Sequence, residues 1–139
     1  MTQEQNNRAL MLSVLAAFRD GLLEPLFEAV SPEVVWKATA PPEFFRFGGI
    51  FKGLTGIKEY IGLLLSRYHF TRLEPKLVTA QKDEVWGLFD VEAIYQPTGR
   101  PVRFDLFIRW MVKEGKITEH QCLFDTAGVL IQQGDLKAA

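Results

Sequence analysis

His120 is the side chain in this sequence best suited to chemistry near neutral pH, because an unperturbed imidazole titrates there and can give or take a proton. It stands in the run Lys116 to Asp125. Strand alternation there puts Thr118, His120, Cys122 and Phe124 on one face and Ile117, Glu119, Gln121 and Leu123 on the other. Among apolar neighbours His120 reads as a general base or as a hydrogen-bond donor to a carbonyl; the plainer reading is a histidine hydrogen-bonded inside the core. Lys37 is the second candidate, since burial would lower its pKa toward that of a base or an imine-forming amine, although lysines commonly keep their ammonium in water. Tyr95, Thr39 and Thr118 offer hydroxyls, and Cys122 reads as a small buried hydrophobe before a nucleophile.

Several chemistries are set aside. His69 and His120 with the single Cys122 do not make a structural zinc site, and neither histidine sits in an H-E-x-x-H arrangement. Gly48-Gly49 and Gly53 match no phosphate-binding loop, and no serine nucleophile elbow is present. The sequence therefore assigns no metal and no cofactor. Sixteen basic against seventeen acidic residues give a formal charge of -1. Without a basic run there is no footprint for nucleic acid or an anionic membrane, leaving small molecules or other proteins as partners. Met1 to Arg8 is polar and no apolar run approaches a membrane span, so the expectation is a cytoplasmic protein. The 139 residues suffice for one domain, residues 1–139, with an ordered core over about residues 6–133.

The elements that must position these residues follow from periodicity. Beyond an N-cap at Asn6 or Asn7, Met11, Val14, Leu15, Phe18 and Leu22 recur at helical spacing, and Gly21 ends the helix. Glu24 to Val30 fits a short second helix with Pro25 in its first turn. Val34 to Thr39 reads as a strand that stops at Pro41-Pro42, followed by an irregular segment holding Phe44, Phe45, Phe47 and Phe51. Phe44, Phe45, Arg46 and Phe47 either form a lid over a planar or acidic ligand or plug one end of the sheet. Thr55 caps a third helix carrying Ile57, Tyr60, Ile61, Leu64, Leu65 and Tyr68. Leu77–Gln81, Val85–Gln96, Val102–Lys113 and Lys116–Asp125 then read as consecutive antiparallel hairpins. Helices first and strands second make an α+β domain.

Alternation also assigns faces. Gly87, Phe89, Val91, Ala93 and Tyr95 share one face with Phe104, Leu106, Ile108 and Trp110 of the next strand. The opposite face carries Trp86, Leu88, Asp90, Glu92, Arg103, Phe107 and Arg109, with Asp90 and Glu92 placed to pair with Arg103 and Arg109. A face of large apolar groups among paired charges predicts a homodimer interface.

Two local motifs and the order of elements carry a family resemblance. Pro32-Glu33-Val34-Val35-Trp36 resembles the acidic-hydrophobic-Trp first strand of the nuclear transport factor 2-like superfamily, in its SnoaL-like and ketosteroid isomerase-like branch. Glu114-Gly115-Lys116-Ile117-Thr118-Glu119-His120 to Asp125 resembles that branch's final hairpin, and Phe51-Lys52-Gly53 its aromatic-basic-glycine step. The resemblance implies a cone-shaped α+β barrel, a curved antiparallel sheet packed against three N-terminal helices, with an apolar pocket for a small oxygen-bearing hydrophobic ligand. It implies walls from Val14, Phe18, Phe89, Tyr95, Phe104, Ile108, Trp110, Cys122 and Phe124. It also implies isomerase, cyclase, dehydratase or hydrolase chemistry, with His120 and Lys37 as acid/base groups, or a non-catalytic binding or dimerising module. The isomerases' carboxylate base aligns with Lys37, and their oxyanion-stabilising positions align with Val14 and Ile108, so ketosteroid isomerisation itself is not implied. Asp125 matches the family's terminal acidic residue and reads as a turn residue.

Overall fold

The computed structural model describes residues 1–137. Helix α1 (Gln3–Arg19) begins earlier than the asparagines suggest, because the Thr2 hydroxyl accepts from the Gln5 N–H while the Gln5 side chain accepts from the Thr2 N–H. Asn7 is consequently inside the helix and buried. Helix α2 (Glu24–Ala29) leads into β1 (Val30–Thr39), and β2 (Gly49–Lys52) returns antiparallel beside it. After α3 (Gly53–Arg67) come β3 (Tyr68–Gln81), β4 (Glu84–Tyr95), β5 (Arg100–Lys113) and β6 (Lys116–Phe124), and a short α4 (Thr126–Gln133) follows.

The six strands form one curved sheet in the order β2-β1-β6-β5-β4-β3. Strands β3 to β6 are joined as successive hairpins, the last turning through Glu114 and Gly115, whose positive φ values of 51° and 76° suit a tight two-residue turn. Only the β1–β6 pair is parallel among the described strands, and it joins segments about eighty residues apart. Helix α1 packs on β3 and β4, α3 on β1 and β2, and α4 on β5. The result is the expected α+β cone. Among the described residues, no helix is long and apolar enough to cross a membrane.

Three segments differ from the sequence reading. Tyr68 leaves the third helix and opens β3, pairing with Tyr95, and the strand then runs through Pro75. A proline is tolerated there because β3 is the sheet's edge strand and the ladder shifts register between Pro75 and Leu77. Strand β2 arises inside the segment expected to be irregular, where Trp36 pairs with Phe51. Helix α4 was not expected, and Asp125 caps it by accepting from the Gly128 N–H at 3.0 Å.

The faces of β4 and β5 follow the alternation: Val85, Phe89, Val91, Ala93, Tyr95, Ile108, Trp110 and Val112 are all buried. In β6 the parity fails at one end. A register shift between the Met111–Glu119 and Val112–Ile117 pairs turns Ile117, expected outward, into a fully buried residue. On the opposite face Arg103 reaches Asp90 at 3.3 Å and Glu92 at 3.5 Å, as expected. Arg109 instead pairs with Glu84, and Asp90 gains Arg72 of β3 at 2.8 Å.

Candidate functional site

The inner face of the sheet brings three aromatic rings into one row across three strands. Trp36 of β1 is the register partner of His120 of β6, which is the register partner of Trp110 of β5. The imidazole lies flat on the Trp36 ring, with centroids 3.7 Å apart and planes within 1°. From the other side the Trp110 indole N–H donates to His120 Nδ1 at 2.8 Å. An indole nitrogen can only donate, so Nδ1 holds a lone pair and the ring hydrogen resides on Nε2. His120 is 5% exposed, and its Nε2 has no hydrogen-bond partner. Burial lowers its pKa to about 3, so the ring is neutral at physiological pH.

This row forms one wall of a cavity of about 80 Å³. Val14, Leu15 and Phe18 of α1, Tyr60 and Ile61 of α3, and Ile108 and Cys122 of the sheet complete much of it. The buried Trp36 Nε1 on this wall makes no well-aligned hydrogen bond, its N–H facing the Tyr60 hydroxyl. Burial raises the Tyr60 pKa, the adjacent Cys122 raises it further, and the Trp36 N–H draws it partly back. Burial pushes the Cys122 thiol up to about 11, against a Thr39 backbone hydrogen bond that lowers it, so the sulfur keeps its proton. The polar groups of this cavity are therefore all uncharged.

A second chamber of about 60 Å³ shares Tyr60, Leu64, Phe70, Leu106 and Cys122 as walls with the first. Phe104 and Phe124 line this second chamber. Phe45 and Phe47 divide it from an outer vestibule of about 370 Å³, which is lined by Arg46, Arg67 and Tyr95 among others. Phe45 packs edge-on to Phe124 and Phe47 edge-on to both Tyr60 and Tyr68, so these two phenylalanines stand between the second chamber and the vestibule. Phe44 takes no part, being 63% exposed. Each inner chamber is smaller than the cavity of about 150 Å³ that accepts benzene. Joining the two across their shared walls would make room for a ring-sized ligand.

Of the site residues expected from sequence, the structure gathers His120, Trp110, Ile108, Cys122, Val14 and Phe18 around the inner chamber. Lys37 is not among them. Trp36 points inward, so its neighbour Lys37 points to the outer face, where it is exposed. Phe89 is fully buried but lines none of these cavities, because its ring lies over Gly87: a Cβ at Gly87 would come within 2.4 Å of it. Tyr95 belongs to the vestibule. Trp36 and Tyr60 were missed as site residues, although the alternation that turns Lys37 outward also turns Trp36 inward. Among the described residues, no three His, Cys, Asp or Glu side chains converge as metal ligands would.

The profile of the SnoaL-like domain family matches residues 12–120. The chain belongs to the SnoaL-like family. This SnoaL-like protein also superposes on solved structures over nearly its whole length. TerC, crystallised with polyporic acid, shares 25% identity with a TM-score of 0.84, covering 93% of this chain and 98% of TerC. A nuclear transport factor 2-like protein of unknown function from Burkholderia pseudomallei shares 20% identity, TM-score 0.85, over 95% of this chain and 98% of its own. A protein of ketosteroid isomerase-like fold from Catenulispora acidiphila, solved with trimethylamine, shares 13% identity, TM-score 0.77, over 90% and 92%. These last two establish the fold alone. No curated protein matches the chain in sequence.

Proposed function

We propose that this SnoaL-like protein binds a small hydrophobic, oxygen-bearing molecule in the cone cavity, with His120 as its polar contact. The observation that carries the reading is a neutral imidazole on the wall of a chamber lined mainly by apolar side chains, with its Nε2 buried and unpartnered. A buried donor left without a partner costs roughly 1–3 kcal/mol, which a ligand oxygen recovers. Reactions of the isomerase, cyclase, dehydratase or hydrolase kind are compatible with the reading only if His120 acts through its N–H. A pKa near 3 leaves it a weak base. That low basicity, together with a cavity lining that includes no carboxylate, favours the second reading, in which the protein binds its ligand without transforming it. Lys37 has no role in either.

A thermal-shift panel of lactones, monoterpenes, aromatic polyketides, steroids and polyporic acid tests the reading. A ligand at about 100 times its Kd stabilises by roughly 2.7 kcal/mol, several degrees in Tm for a domain of this size. Compact members should give a shift that His120→Phe reduces, and product analysis separates binding from turnover. No shift from any class would remove the proposal.

The outer sheet face supports a homodimer as well. Leu77, Leu88, Phe107 and Leu123 are successive register partners across β3, β4, β5 and β6 and form an apolar row, flanked by the Arg72–Asp90–Arg103 and Arg109–Glu84 ion pairs. A two-fold axis through such a row would set it against itself, with charges at the rim. Sedimentation at micromolar concentration should give twice the chain mass.

A further inference from the structure

We infer, resting on the reading that the cavity binds a ligand, that the Trp36–His120–Trp110 row is a hydrogen-bond-donor subsite for a carbonyl oxygen, and that Trp110 is the positioning residue that holds His120 as its Nε2–H tautomer. The geometry points this way in three steps.

First, Trp110 decides which nitrogen carries the hydrogen. Its indole N–H approaches Nδ1 at 2.8 Å, and a hydrogen on both atoms would leave two donors facing each other. The stack on Trp36 fixes the ring plane, and the register pairs on either side hold the row in place. Second, the hydrogen so placed on Nε2 has no acceptor in the chain, whereas the Trp36 N–H on the same wall faces the Tyr60 hydroxyl oxygen. The unmatched group on this wall is thus the His120 Nε2–H, a donor, and a ligand group that pairs with it must accept. Third, charge narrows the class. A carboxylate would be buried against neutral donors with no cation among the residues lining the chamber, and an ammonium would meet donors instead of acceptors. An alcohol oxygen also accepts, but its own hydrogen then needs an acceptor, and the Tyr60 oxygen already faces the Trp36 N–H. A carbonyl oxygen has two lone pairs and no hydrogen, which matches the row. The apolar remainder of such a molecule would lie toward Leu106 and Phe70, the walls shared by the two chambers.

The test uses the full chain and two probes of nearly equal shape, carbonyl-labelled cyclohexanone and methylenecyclohexane. Infrared difference spectra should place the bound carbonyl stretch below its value in hexane. In His120→Phe the stretch should return toward the hexane value while methylenecyclohexane still binds. Nitrogen-15 spectra should show the His120 hydrogen on Nε2 in the wild type and a mixture of tautomers in Trp110→Phe. A wild-type stretch at the hexane value, a stretch unchanged in His120→Phe, or a hydrogen on Nδ1 would overturn the subsite; continued binding of methylenecyclohexane would then leave the cavity reading intact. If neither probe binds the wild type, the subsite falls, and the thermal-shift panel decides the cavity reading separately. Should either variant fail to fold, the wild-type stretch and tautomer decide the question alone.

Discussion

The two faces of one sheet treat polarity in opposite ways. On the outer face of β4, Asp90 is shared between Arg72 and Arg103, and Glu92 and Glu84 also have arginine partners, so its charges are met within the chain. On the inner face His120 is a neutral ring with one nitrogen satisfied by Trp110 and the other by nothing. Water screens the partly exposed arginines and glutamates of this face, and the buried Asp90 is held by two arginines. An uncharged donor enclosed in apolar walls is costly unless something arrives to accept its hydrogen bond. Under the proposed function the contrast separates two roles: a face for another copy of the chain outside, and a site for a small molecule inside.

Removing the inner support should have the largest effect. Trp110→Ala deletes a fully buried ring and the donor to His120, and is expected to cost about 3–5 kcal/mol in chemical denaturation. The pH dependence sharpens the contrast further. The folded pKa of His120, about 3, lies below its ordinary 6.5, so between these values the unfolded chain binds more protons. Its contribution to stability is complete above pH 6.5 and falls with acidification by roughly 1.4 kcal/mol per pH unit. His120→Phe should flatten the stability curve in that window. Asp90 behaves differently: the Arg72 hydrogen bond holds its pKa below the usual carboxylate range, so its contribution is present above that range and lost only at more acid pH. Asp90→Asn should therefore leave the higher window unchanged.

Smaller effects distinguish wall from core. Gly87→Ala puts a methyl 2.4 Å from the Phe89 ring and should destabilise by about 1–3 kcal/mol through overpacking. Phe107→Glu, on the outer row, should convert a dimer to a monomer in sedimentation while leaving ligand affinity unchanged. Lys37→Ala should alter stability by less than about 0.5 kcal/mol and ligand affinity not at all, since the exposed ammonium faces away from the cavity.

Much of the inner face was legible because it is written locally. Alternation along β4 and β5 sorts Phe89, Ile108 and Trp110 from Leu88, Phe107 and Arg109 without any knowledge of the partner strands. Alternation gives a face but not a depth, which is why Phe89 was expected in the cavity wall and instead lies over Gly87. The Trp36–His120 stack was not legible, because it depends on a parallel pairing between strands far apart in sequence. Only the Leu77–Gln81 end of β3 is legible as strand, because Pro75 and its charged neighbours mimic a loop and only the strand's position at the sheet edge makes them tolerable. The inward turn of Ile117 depends on a bulge that no composition signal marks.

The difference between the faces is tested most directly by methyl-resolved NMR of the full chain titrated with cyclohexanone. Val14, Leu106 and Ile108 on the inner walls should shift in a saturable manner, while Leu77, Leu88 and Leu123 on the outer face stay in place. Saturable shifts confined to the outer leucines, or no saturable shift on either face, would contradict the assignment of the ligand site to the His120 cavity.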